Sequence, residues 1–111
     1  MRIDTQKVGA VTVFEPHGPI IQDDAEVFGG RLDQTLRSSM GRLVLDVSGV
    51  PYLDSAGLEI LADAAKSLQQ TGQSLRLSGA NETLRTVFDL TELAGMFDHY
   101  QDVNTAVRSF L

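Results

Sequence analysis

Leu43–Leu61 reads LVLDVSGVPYLDSAGLEIL, and this stretch decides the fold. Its first five residues, Leu43-Val44-Leu45-Asp46-Val47, form an apolar run without alternation. That pattern predicts a strand covered on both faces, the arrangement of a parallel sheet. A short turn follows, and Asp54-Ser55-Ala56-Gly57-Leu58 opens an amphipathic helix whose Leu58, Leu61, Ala62, Ala65 and Leu68 share one stripe. A serine hydroxyl is thereby placed at a strand-to-helix junction beside a helix N-terminus, where added negative charge is favoured.

Working outward, residues 3–8 read as a weak strand broken by Gly9. Val11–Glu15 reads as a stronger strand ended by Pro16 and Gly18. A helix follows, with Asp23 or Asp24 as its cap and Ala25, Phe28, Leu32 and Leu36 at helical spacing. Gly29-Gly30 lies inside it and weakens it by about 1 kcal/mol per glycine relative to alanine. Beyond the central helix, Gly72 is a C-cap candidate and Ser74–Ser78 a strand. Gly79 and Asn81 open a short helix that buries Leu84, Val87 and Phe88. Met96–Tyr100 is a further strand, and a last helix from Asp102 turns Val103, Ala106, Val107 and Phe110 inward. The order β-β-α-β-α-β-α-β-α implies a largely parallel sheet with right-handed crossovers, its first two strands forming a hairpin.

With 111 residues, 42% hydrophobic and 22% charged, the chain suits a single globular domain spanning residues 1–111. It has no cysteine, which removes thiol catalysis, thiolate zinc sites and disulfides. A net charge of −6 with scattered lysines and arginines opposes a nucleic-acid surface and an anionic membrane surface. No apolar run suffices to span a bilayer and the N-terminus lacks a signal core, so the expectation is a cytoplasmic protein with no membrane insertion.

Ser55 has several readings. It qualifies as the helix N-cap, a position for which Asp54 competes. A nucleophile is disfavoured: PYLDSAGL is not a Gly-x-Ser-x-Gly elbow, and neither His17 nor His99 has a recognisable partner motif. A phosphoacceptor fits the chemistry, since phosphate would add a charge of about −1.5 to −2 at a helix N-terminus while Asp54 opposes it. Gly57 would let a partner's backbone approach closely. Asp46 reads as a turn partner for residues 48–51 or as a second acidic group near Ser55. Neither Asp46 with Asp54 nor Asp23 with Asp24 has the spacing of an acid/base pair or a metal site. No phosphate-loop or dinucleotide glycine pattern occurs, so the chain itself is not expected to bind ATP; with the spacings above, no catalytic residues, metal or cofactor are expected. Ile20-Ile21 and Tyr52-Leu53 are assigned to the core rather than to a partner patch.

Tyr52-Leu53-Asp54-Ser55-Ala56-Gly57-Leu58, behind a buried strand ending in Asp46, resembles the STAS domain as found in anti-sigma factor antagonists. The likeness continues through Val11–Gly18, Gly72–Leu77, Val87–Leu93, Phe97–Tyr100 and Asp102–Val107. It implies an α/β fold, a small mixed sheet of about five strands with four helices packed mainly on one side. It further implies a partner-switching phosphoprotein in the regulation of transcription, not an enzyme. The unmodified domain binds an anti-sigma factor serine kinase, is phosphorylated on Ser55, lets go, and is reset by a serine phosphatase. Asp54, Ala56, Gly57 and Leu58, with Asp23 and Asp24, are the implied partner-binding residues. Family members carry an acidic residue in the loop after Gly18 where this chain has Ile21, and Asp23 and Asp24 are the acids nearest to replace it. That departure supports an alternative: a non-switching STAS docking subunit of a larger assembly, such as a lipid-transport complex, with Ser55 as a cap.

Overall fold

A computed structural model describes residues 1–111. Two strands, β1 (Arg2–Val8) and β2 (Val11–His17), form an antiparallel hairpin with Val8 opposite Val11. Gly9 takes φ +63° in the turn, a conformation that glycine adopts without Cβ strain. Three βα-type crossovers follow: α1 (Gln22–Ser38), β3 (Leu43–Asp46), α2 (Ser55–Gln69), β4 (Leu75–Ser78), α3 (Glu82–Leu90) and β5 (Phe97–Tyr100). A single 3₁₀ turn, Ala94–Met96, leads into β5, and α4 (Val103–Arg108) closes the chain. The sheet order is β1-β2-β3-β4-β5, antiparallel at the hairpin and parallel elsewhere.

The continuous apolar run of β3 is explained by this topology. All four of its residues are buried, because α1, α2 and α3 cover one face of the sheet and α4 the other. Leu43, Leu45, Leu75 and Leu77 join Phe28, Leu32, Leu61, Ala65, Leu84 and Phe88 in the large core. Val11 and Val44 face Ala106 in a smaller one, edged by Tyr100, Val107 and Phe110. The helices thus lie mainly on one side, as expected, with α4 the exception. Arg76 fixes α4 from the sheet: its Nε donates to Ser109 Oγ at 2.7 Å and its guanidinium lies 3.6 Å from the Phe110 ring centre.

Several boundaries differ from the sequence reading. β2 does not stop at Pro16 but continues to His17, with Pro16 paired to Ile3. The parallel ladder on its other side ends at Phe14–Leu45, so the missing N–H of Pro16 breaks no ladder there. α1 runs unbroken through Gly29-Gly30. Two helical glycines cost about 2 kcal/mol together, less than the roughly 1.5–3 kcal/mol that burying each of Phe28 and Leu32 returns. Gly29 has its own reason: a Cβ there would lie 2.7 Å from Ile60 Cδ1, so the glycine lets α1 and α2 close on each other. Neither Asp23 nor Asp24 caps α1; Ile21 occupies the cap position and offers no side-chain bond. The C-cap of α2 is Gln70, and Gly72, at φ +74°, lies in the turn beyond it.

Candidate functional site

The parallel strands end at one edge of the sheet, where the loops after β2, β3 and β4 meet. Open α/β sheets place their sites at such an edge. The loops after β2 and β3 are joined by backbone bonds. Gly18 N–H donates to Gly49 O at 3.0 Å, Ile20 N–H to Tyr52 O at 3.2 Å, and Asp54 N–H to Ile20 O at 3.3 Å. Ile20 and Leu53 form an isolated parallel bridge, and both are buried. The loop after β4 is tied in by Asn81. Its Oδ1 accepts Leu84 N–H at 2.8 Å and caps α3, while its Nδ2 donates to Pro51 O at 3.2 Å.

Asp54 organises the centre. Its Oδ1 accepts Gly57 N–H at 3.0 Å, which makes it the N-cap of α2. Its Oδ2 accepts Gln22 N–H at 3.0 Å, the first residue of α1. One carboxylate therefore serves two helix N-termini, and α1 needs no capping side chain of its own. The bond with Gly57, and further ones with Gln22 and Ala56, hold the Asp54 carboxyl below its ordinary value against the opposing effect of desolvation. Gln22 sits at φ +48°, the left-handed region that costs a non-glycine residue roughly 1–2 kcal/mol.

Ser55 is the first residue of α2 and is exposed. It is not the cap, contrary to one of its readings, because Asp54 holds that position. The Ser55 hydroxyl is thereby released from capping. Ala56 and Leu58 are half-buried, each against the large core. Gly57 is buried, and its missing side chain makes room for this chain's own Ile20 rather than for a partner: a Cβ there would stand 2.5 Å from Ile20 O. The Asp54–Gln22 bond sets the first turn of α1, with Asp23 and Asp24, alongside the first turn of α2. Asp23 is exposed, and Asp24 lies 3.8 Å from the N-terminal amine.

Asp46 is buried and its Oδ1 accepts Ser48 N–H at 3.1 Å, the turn role. Tyr52, assigned to the core with Leu53, is instead half exposed at 50% and flanks the Ser55 turn. Ile20 and Asn81 are the residues that sequence reasoning left out of the site. Asn81 carried a signal as a helix opener, but its second bond crosses 30 positions and no local pattern encodes it.

Residues 2–106 match the STAS domain family. The chain is 36% identical over 96 residues to the anti-sigma-B factor antagonist of Listeria monocytogenes, covering 86% of this chain and 76% of the relative. Among solved structures it is similar to an anti-sigma factor antagonist from Mycobacterium paratuberculosis, with a TM-score of 0.84, 24% identity, and coverage of 97% of this chain and 92% of the other. It is also similar to the phosphorylated form of SpoIIAA, a Bacillus cell fate determinant, with a TM-score of 0.72, 14% identity, and coverage of 99% and 100%. The match over residues 2–106, the Listeria relative and the shared five-stranded mixed sheet agree: this chain belongs to the STAS domain family.

Proposed function

We propose that residues 1–111 act as one STAS unit and as a cytoplasmic anti-sigma factor antagonist that works by partner switching. The unmodified protein binds an anti-sigma factor that is also a serine kinase. The kinase transfers the terminal phosphoryl group of ATP to Ser55 Oγ, breaking the β–γ phosphoanhydride bond and leaving ADP; the hydroxyl proton is lost, and the modified protein is released. A serine phosphatase hydrolyses the ester, returning the hydroxyl and inorganic phosphate.

One observation carries this reading: Asp54 rather than Ser55 caps α2, so an exposed hydroxyl stands at the first helical position without a structural duty. Phosphate there gains about −1.5 to −2 units of charge at a helix N-terminus, which accommodates it. The adjacent Asp54 carboxylate repels it. Modification therefore recharges the surface formed by Ser55, Ala56, Leu58 and Asp23 while the core stays packed. Gly57 contributes from beneath, by letting the Ile20 loop close on the helix.

The relatives' names support the reading, and so does a solved phosphorylated form of SpoIIAA. The test is incubation with ATP and the serine kinase encoded in the same genome, followed by intact-mass spectrometry. A phosphate-sized increment absent in Ser55→Ala, with loss of kinase binding on modification, is expected. Failure of the kinase either to bind or to modify the protein removes the reading.

Ile21 favours a second reading, in which this is a docking subunit of a larger assembly. Ile21 is half-buried at the start of α1 and offers no acidic group to the loop. Unaltered cellular function of Ser55→Asp would support that alternative.

A further inference from the structure

We propose that Asp4, Glu15 and His17 form a binding site for one zinc-like divalent cation on the open face of the β1–β2 hairpin. His17 Nε2 lies 3.0 Å from Asp4 Oδ2 and 3.1 Å from Glu15 Oε1. One ligand atom from each of the three residues lies within 4.8 Å of the other two. A tetrahedral centre with bonds of about 2.1 Å spaces its ligand atoms about 3.4 Å apart, so small side-chain movements bring these three into place.

The backbone holds the set. Glu15 and His17 are two apart on β2 and share a face. Asp4 stands directly opposite Glu15 in the antiparallel register, and Arg2 opposite His17. The imidazole is also constrained: a Cβ built on Gly49 would lie 3.1 Å from Nδ1, so that edge abuts backbone while Nε2 faces the two carboxylates. One imidazole with two carboxylates suits a borderline cation such as Zn²⁺ better than Ca²⁺ or Mg²⁺, which prefer all-oxygen shells. A single Nε2 bears at most one hydrogen for two carboxylate oxygens, whereas a cation satisfies both. Arg2 Nη2 holds Asp4 Oδ2 at 2.8 Å and is the internal competitor, though its side chain is 72% exposed and free to leave. A bound cation would tie the edge strand to the end of β2, one residue before Gly18 bonds to Gly49.

The test is calorimetric titration of tag-free, chelator-treated protein with Zn²⁺ in a non-coordinating buffer, alongside thermal unfolding. The expected result is one Zn²⁺ per chain at micromolar affinity with a rise in Tm, as for any ligand of the folded state. D4N, E15Q and H17Q, each verified as folded by circular dichroism, should weaken binding about tenfold or more, since losing even a ligand's supporting partner costs 10–100-fold. R2A should tighten it, and His99→Gln should leave it unchanged. Absence of saturable binding up to millimolar Zn²⁺ would overturn the site, and so would binding of full strength in H17Q. Either result would reduce the cluster to an ordinary set of ion pairs.

Discussion

The Asp54 carboxylate accepts the Gln22 backbone N–H at 3.0 Å across 32 positions of sequence, and so supplies α1 with the cap that its own sequence lacks. The same side chain caps α2 through Gly57. Ser55 lies between these two duties and performs neither, which separates the residue proposed for modification from the residue that holds the junction.

Asp54→Ala is therefore expected to destabilise more than the loss of an ordinary cap, because two helices lose a partner. Thermal unfolding should show a fall of several degrees, and hydrogen exchange should rise in the first turns of both α1 and α2. Protection loss confined to α2 would show that the Gln22 bond contributes nothing.

The same carboxylate sets a pH dependence. Its folded pKa is held below the ordinary 3.8, chiefly by the Gly57 N–H and also by those of Gln22 and Ala56. The folded state then binds fewer protons than the unfolded state around that pH, so the contribution is present above the unfolded value and disappears as pH falls through the folded one. The stability gap between wild type and Asp54→Asn should be full at pH 7 and close progressively below about pH 4. A gap constant down to pH 2 would contradict the ionised cap.

Three glycines give an internal comparison by urea unfolding. Gly30→Ala meets open space in a helix interior and should stabilise by about 0.5–1 kcal/mol. Gly57→Ala places a methyl group 2.5 Å from a backbone carbonyl and should destabilise by about 1–3 kcal/mol despite alanine's helix preference. Gly29→Ala meets the flexible end of Ile60 and should fall between them. A reversal of the first two would invalidate the tight closure of Ile20 on α2.

Ser55→Ala should leave stability within about 0.5 kcal/mol of wild type, the range of ordinary surface substitutions. It should nevertheless abolish transfer of phosphate from the kinase. Ser55→Asp should retain the fold while weakening kinase binding by about tenfold or more, equivalent to about 1.4 kcal/mol of lost affinity. A large stability loss in Ser55→Ala would return the serine to a structural role.

Arg76→Ala should loosen α4 selectively, since one guanidinium supplies both the Ser109 bond and the Phe110 contact. A loss of about 1–2 kcal/mol is expected from a charge-assisted bond with a cation–π contact. Hydrogen exchange should increase in α4 while α1, α2 and α3 stay protected. Uniform loosening would mean that α4 is not anchored from this point.

Much of the architecture was legible in residues 43–61. An apolar run without alternation requires cover on both faces, and a helix following it at once requires a crossover. Element order and the stripes of α2 and α3 follow from periodicity, because burial of one face is a local property of the sequence. Ser55 at the helix start was legible for the same reason. What tertiary structure decided is which atoms meet across loops. Local patterns name Asp23 or Asp24 as the cap of α1 and leave Ser55 and Asp54 competing for that of α2; the fold gives both duties to Asp54, because the Ile20–Leu53 bridge brings the two helix starts together. Gly57 reads as access for a partner until Ile20 O is found above it. Asp4 joins Glu15 and His17 only through the hairpin register. Periodicity records what each segment buries, but hydrogen bonds between segments depend on distances that exist only once the sheet has set its register.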